Sequence, residues 1–259
     1  MKKMVDINCD MGESLGAYTI GADKEVIRHI TSANIACGFH ASDPNVMEET
    51  VRLCREHGVM AGAHPGYPDI LGFGRRHLDV RPPELINYVV YQVGALKGFS
   101  AFHGIPLQHV KMHGALYNDL ITGEDLFLDI ITAVKKAFGD LIFFTLATQK
   151  TVQLKEMCRQ MGLRLALEAF PDRNYTDEGN LLSRKHKDAV LKNPEIIAER
   201  AVKMVREQGI ESVNGLWINL AVDTLCIHGD NPESVEAAKK MRASFERAEI
   251  KILPAAEFL

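Results

Sequence analysis

Short apolar runs alternate with amphipathic helical stretches along the whole chain, and that alternation confines it to parallel strands covered by helices. The runs fall at Met4–Cys9, Ala33–Cys37, Val59–Ala63, His109–Met112, Leu141–Thr145, Leu163–Leu167, Thr224–Ile227 and Ile250–Leu253. Leu141-Ile142-Phe143-Phe144 is apolar without a break, as a strand buried on both faces requires. Between the runs, Asp43 caps a helix over Pro44–His57 that stops before Gly58, and Asn193 and Gly209 bracket a second over Pro194–Gln208. Asn231 opens a third over Pro232–Arg247, and Leu126–Phe138 and Glu84–Phe102 are further helices, the last weakened by Gly94 and Gly98. Val213-Asn214-Gly215-Leu216 reads as a hairpin turn, a small antiparallel excursion before the seventh strand. The pattern predicts a single α/β barrel-like domain over 1–259, of a size that (β/α) barrels commonly have. It does not decide between a closed barrel and an open sheet.

Two long loops, 65–83 and 171–187, interrupt the rhythm, and loops of that length in a compact domain usually carry function. A net charge of −4 with interspersed charges leaves no basic stripe for nucleic acid or anionic membrane. No apolar run approaches the ~18 residues of a membrane span, and Lys2-Lys3 has no apolar core behind it, so no secretory signal is expected. The five cysteines lack any Cys-x-x-Cys pair; Cys9, Cys37 and Cys226 lie in apolar runs and read as small buried residues of a reducing, cytoplasmic compartment.

Ionisable residues gather where the strand-like runs end. Asp6, Asn8, Asp10 and Glu13 follow the first, His40 the second, His64 the third, Lys111 and His113 the fourth, Glu168, Asp172 and Arg173 the sixth, and His228 and Asp230 the seventh. Parallel strands bring their carboxyl ends to one face, where ligands bind. His40, His64, His113 and His228 each follow a strand and adjoin Gly, Ala or Pro, whereas His29, His57, His103, His109 and His186 read as structural. Asp10 and Glu13 have a second reading as caps of the next helix. Imidazoles and carboxylates from separate strands suit either acid–base work, the default, or a divalent metal such as zinc or manganese, although no His-Glu-x-x-His is present. Lys111, Arg75, Arg76 and Arg173 are candidates for gripping an anion. Neither a Walker loop, a Gly-x-Gly-x-x-Gly nor a Gly-x-Ser-x-Gly elbow occurs.

These segments resemble the signature blocks of the LamB/YcsF lactam-utilisation family. The matching stretches are 6–13, 32–44, 62–69, 72–76, 110–118, 168–175 and 226–230. Met112, Gly66 and Pro171 depart from the family pattern without removing an ionisable group. The resemblance implies an irregular TIM-type barrel of the glycoside hydrolase/deacetylase kind, with fewer or less regular strands than eight. It implies ATP-dependent opening of 5-oxo-L-proline to L-glutamate, together with 5-oxoprolinase subunits B and C. ATP, with Mg, is then handled mainly by those partners. On that reading Asp10, His64, His113, Glu168 and His228 are acid–base candidates, and Asn8, His40, Arg75, Lys111, Asp172, Arg173 and Asp230 bind substrate. The rival expectations are a stand-alone metal-dependent deacetylase or amidohydrolase, and a non-catalytic subunit that only binds 5-oxoproline.

Overall fold

A computed structural model describes residues 4–183, 185–228 and 232–259, the side chains of His228 and Pro232 excepted. Six strands come first: β1 (Met4–Met11), β2 (Ser32–Ala36), β3 (Met60–His64), β4 (Leu107–Lys111), β5 (Ile142–Leu146) and β6 (Arg164–Ala169). A hairpin of β7 (Gly209–Glu211) and β8 (Trp217–Asn219) precedes β9 (Thr224–His228) and β10 (Lys251–Ile252). The helices are α1 (Asp23–Val26), α2 (Pro44–His57), α3 (Pro82–Phe102), α4 (Gly114–Thr122), α5 (Glu124–Phe138), α6 (Gln149–Gln160), α7 (Pro194–Glu207) and α8 (Pro232–Arg247). Strands β1 to β6 pair in sequence order, all in parallel, and β9 joins β6 to β1. The sheet therefore closes on itself as a seven-stranded parallel barrel ringed by helices.

The departure from eight strands has a location. Between β6 and β9 the chain makes a long excursion through α7 and the antiparallel β7–β8 hairpin, and no barrel strand among the described residues comes from it. The seam there is short, with Glu168 opposite Thr224 and Ala169 opposite Leu225. Strand β10 lies outside the ring, paired with the first residues of β1.

Local chemistry explains most boundaries. The Asp43 side chain accepts from the backbone of Asn45 and Val46, and Gly58 closes α2 at φ 66°, a left-handed angle that costs glycine little. Asn193 caps α7 in the same way through Glu195 and Ile196. The cap expected at Asn231 lies outside the described residues. Gly94 and Gly98 do not break α3: a Cβ at Gly94 would make ordinary contact with Phe138 of α5 at 3.5 Å, and one at Gly98 would meet open space, so the helix runs through both. Three helices escape the sequence pattern: α6, α4 and the single turn of α1. In α6 most positions are polar, yet Thr148 and Thr151 form a reciprocal capping box and Thr151, Leu154 and Cys158 supply the buried side. In α4 the helix starts directly after His113.

Along β1 the residues alternate strictly. Val5, Ile7, Cys9 and Met11 are buried in the apolar layer beneath the helices, whereas Asp6, Asn8 and Asp10 bond polar groups of the neighbouring strands β2 and β9. The interior is thus a ladder of hydrogen bonds. Asp6 accepts from Thr31 at 2.7 Å, Ser32 at 2.6 Å and Thr224. One level up, Asn8 donates to Thr224 at 2.7 Å and accepts from Asn34 at 2.7 Å, and His109 Nε2 lies 2.8 Å from the Asn34 side-chain oxygen. Burial pushes the His109 pKa down to about 3, so it sits in this network as a neutral imidazole, stacked on Phe144 at 4.2 Å. A Cβ at Gly62 would fall 2.1 Å from its Nε2, so only glycine leaves room for the ring.

Asp6 makes this ladder sensitive to pH. Burial, only partly offset by the Ser32, Thr224 and Thr31 hydroxyls, raises its carboxyl from 3.8 to about 6. Between those values the folded chain binds a proton that the unfolded chain does not, so stability rises as pH falls through about 6 and is lost as pH rises. Over two pKa units the full effect is about 3 kcal/mol. Urea titrations should show the stability difference between the wild type and Asp6→Asn shifting in favour of the wild type by about 2 kcal/mol between pH ~7.5 and pH ~4.5. A difference that does not change with pH would refute the assignment.

Candidate active site

The carboxyl ends of the strands form one mouth, and most of the residues singled out by the sequence meet there. Asp10 comes from the end of β1, and Glu13 follows it. His40 lies in the loop after β2, His64 ends β3, Lys111 ends β4, His113 precedes α4, and Glu168 lies near the end of β6. Asp10 pairs in register with His228, which places the β9 backbone at the same height. The His228 side chain and Asp230 lie outside the described residues.

One half of the site is organised by a buried ammonium. Lys111 Nζ lies 2.9 Å from Asp10 Oδ1, 3.4 Å from Asn8 Oδ1 and 3.1 Å from Cys226 Sγ. It also ion-pairs with Glu168 Oε1 at 2.9 Å, off the hydrogen-bonding direction. Burial opposes a charge here, but the facing carboxylates of Asp10 and Glu168 outweigh it and hold the Lys111 pKa well above the usual lysine value. Tyr117 donates to Glu168 Oε2 at 2.8 Å, and burial with Glu168 pushes its own hydroxyl up, so it remains a neutral donor. Asn34 donates to Asp10 Oδ1 at 2.8 Å. Within this group Asp10 alone opens toward solvent: its side chain is 16% exposed, against 4% for Lys111 and 0% for Glu168. Glu168 therefore holds Lys111 and Tyr117 from behind rather than facing the opening.

The other half is a nest of imidazoles. His64 Nδ1 lies 2.7 Å from the Lys111 carbonyl, and His113 Nε2 lies 2.9 Å from the Phe73 carbonyl. The two remaining nitrogens, His64 Nε2 and His113 Nδ1, face each other at 2.9 Å. His40 stacks on His113 with ring centroids 3.6 Å apart and planes within 5°. Glu13 Oε1 lies 3.6 Å from His40 Nε2 and 3.5 Å from His113 Nδ1. Burial lowers the pKa of His40 well below the ordinary value and that of His113 to about 2, and the neighbouring imidazoles add to it. Burial beside Asp10 raises the Glu13 carboxyl. The loop over 65–83 closes this nest: a Cβ at Gly74, where φ is 62°, would lie 2.7 Å from His40 Cβ and 2.8 Å from His113 Cδ2.

The remaining positions differ from expectation in informative ways. Glu13 does not cap a helix, since α1 starts at Asp23 after Ala22; it belongs to the imidazole nest. Arg75 stands exposed at the rim over the Phe73 ring at 5.3 Å, where an anion can reach it. Arg76 is instead tied to Asp69, Nε at 3.0 Å from Oδ1. Arg173 donates to the carbonyls of Ala189 at 3.2 Å and Leu182 at 2.7 Å, and so pins the 171–191 loop with those two groups. Asp172 sits buried at the base of that loop. Tyr117 and Asn34 escaped the sequence reading. Tyr117 lies one helical turn after His113, a spacing that places both on one side of α4. Asn34 follows the same inward alternation as Asp6, Asn8 and Asp10. All five cysteines are free and buried, and burial raises each thiol's pKa, which removes them as nucleophiles.

Residues 5–259 match the profile of the LamB/YcsF family. The A subunit of 5-oxoprolinase from Pyrococcus horikoshii is 49% identical over 255 residues, 98% of this chain and 99% of its own. The crystal structure of a lactam utilization protein from Thermus thermophilus superimposes with a TM-score of 0.89 at 42% identity, covering 98% of this chain and 99% of its own. A GH113 β-1,4-mannanase shares the fold alone, with a TM-score of 0.53 at 10% identity over 95% of this chain and 99% of its own.

Proposed function

The chain belongs to the LamB/YcsF family, and from that premise we propose that it is the lactam-opening subunit of an ATP-dependent 5-oxoprolinase, working in the cytoplasm with subunits B and C. The observation that carries the reading is the Asp10–Lys111 pair at the barrel mouth, a carboxylate open to solvent and backed by a buried cation.

The chemistry asks for such a pair. An amide is resonance-stabilised and resists water. Transfer of the γ-phosphoryl group of ATP to the lactam oxygen makes the ring carbon electrophilic. Water then adds to that carbon, and the carbon–nitrogen bond must break before phosphate leaves, or the lactam simply re-forms. Asp10 takes the proton from the entering water and delivers it to the ring nitrogen, so one carboxylate serves as base and then acid. Lys111 sets the position of Asp10 and stabilises negative charge that develops beside it. Ring opening leaves a γ-glutamyl phosphate, which a second water converts to glutamate and phosphate. Arg75 at the rim provides a cation for the substrate carboxylate or the phosphoryl group. Mg–ATP prefers oxygen donors, and the nitrogen-rich nest does not supply them. The nucleotide is accordingly assigned to the partner subunits or to their contact with this chain.

The test is reconstitution. With 5-oxoproline and ATP, glutamate and ADP should form in step when all three subunits are combined, and not when any one is omitted. Glutamate formed by subunits B and C alone would reduce this chain to an accessory. ATP-independent release of acetate from an acetylated amide by this chain alone would establish the deacetylase reading instead.

A further inference from the structure

With its rings neutral, the imidazole nest presents a problem in hydrogen-bond accounting. Carbonyl oxygens only accept, so the Lys111 carbonyl fixes the hydrogen of His64 on Nδ1, and the Phe73 carbonyl fixes that of His113 on Nε2. In the neutral rings this turns two lone pairs, His64 Nε2 and His113 Nδ1, toward each other at 2.9 Å. Around them stand two further orphaned groups. His40 is 1% exposed, yet neither ring nitrogen has a hydrogen-bond partner, and Glu13 Oε1 is buried without one as well. Native structures rarely leave buried polar atoms unmatched, and four converging on one point call for a common partner.

We propose that Glu13, His40, His64 and His113 bind one borderline divalent transition-metal ion, zinc foremost. Their donor atoms all lie within 4.8 Å of one another. Metal bonds of about 2.0–2.2 Å in tetrahedral array put ligand atoms roughly 3.3–3.5 Å apart. The separations here are 2.9 Å between His64 and His113, 3.5 Å between His113 and Glu13, and 3.6 Å between His40 and Glu13, so the set is slightly collapsed, and the His40 ring stacked on His113 must turn for both to meet one ion. Three imidazole nitrogens and one carboxylate oxygen suit zinc, and disfavour magnesium or calcium. The surrounding bonds are also those of a metal site, since two of the three imidazoles use their far nitrogens to donate to backbone carbonyls, which fixes tautomer and ring plane. Asp10 Oδ2 lies 3.4 Å from His64 Nε2, so the ion would adjoin the carboxylate at the barrel mouth. Loss of the metal site would leave the lactam reading intact, and the converse also holds.

The full-length chain, stripped with chelator and dialysed, should bind one equivalent of Zn²⁺ in calorimetry. With Co²⁺ as probe it should develop the visible absorption of a four-coordinate site. His40→Ala and His113→Ala should each weaken binding by about 100-fold or more, while His29→Ala, a half-exposed histidine outside the nest, should change nothing. Circular dichroism checks that the variants fold. If they do not, crystals of the wild-type chain soaked in Zn²⁺ decide the matter: an anomalous peak within bonding distance of all four donors supports the site. Wild-type protein that binds neither ion, or an ion bound anywhere but among these four side chains, overturns it.

Discussion

Lys111→Met should destabilise the fold by about 3–5 kcal/mol, the usual effect of breaking a buried ion pair from one side. Among the described residues Lys111 is the cation that ion-pairs with both Asp10 and Glu168, and it is 3% exposed. Methionine fills similar space but leaves two carboxylates facing each other in a medium that solvates neither well. The expected loss therefore comes from the stranded charges more than from the missing hydrogen bonds. This separates it from a packing defect. Adding Glu168→Gln to Lys111→Met removes one of the two like charges and should restore part of the stability, a negative coupling measurable by a double-mutant cycle in urea. Lowering the pH should help the single variant as well, because protonation neutralises the stranded carboxylates. A loss under about 1 kcal/mol, or strict additivity in the cycle, would mean that the ammonium contributes position without electrostatic compensation.

The same lysine shows what a sequence of this kind discloses and what it withholds. Its place at a strand end was legible, as were those of His40, His64 and His113, because parallel strands must deliver their carboxyl ends to one side. The alternation of Asp6, Asn8 and Asp10 with Val5, Ile7, Cys9 and Met11 gives β1 one polar and one apolar face, which reading Met4–Cys9 as an apolar run passes over. It could not show that the polar face looks inward, since in most barrels the inward layers are branched and apolar. Asp6 consequently reads as an early member of the mouth, although it lies on the ladder below it, bonded to Ser32 and Thr224. Arg76 and Arg173 were indistinguishable in sequence from Arg75, yet two of the three bind their own loops, and only the tertiary position of Asp69, Ala189 and Leu182 decides which. Closure was out of reach of the strand pattern alone; the family resemblance implied an irregular barrel, and the sheet does close, with seven strands. Seven strands meet because the 170–223 segment leaves the sheet and returns, and a hairpin signal at Asn214-Gly215 locates the detour without saying what it replaces.

Asp10→Asn should lower glutamate formation in the reconstituted three-subunit enzyme by about 10³-fold, near the middle of the range for loss of a positioned acid–base group. The substitution suits the site because the bonds to Asp10 from Lys111 at 2.9 Å and from Asn34 at 2.8 Å both go to Oδ1. An asparagine oxygen in that place can accept both, so the barrel and Lys111 keep their positions. What changes is Oδ2, the oxygen turned toward His64 at 3.4 Å: an acceptor becomes an NH₂ group that cannot take a proton from water. Turnover should fall while the association of the three subunits and the binding of 5-oxoproline remain within a few-fold of wild type, so that the loss lies in kcat. Glu168→Gln supplies the contrast. Glu168 is fully buried behind Lys111, so it acts as a positioning residue, and its replacement should cost less activity for an equal or larger loss of stability. An Asp10→Asn enzyme that still turns over at near wild-type rate would remove the base from this mechanism and leave the barrel mouth as a binding surface only.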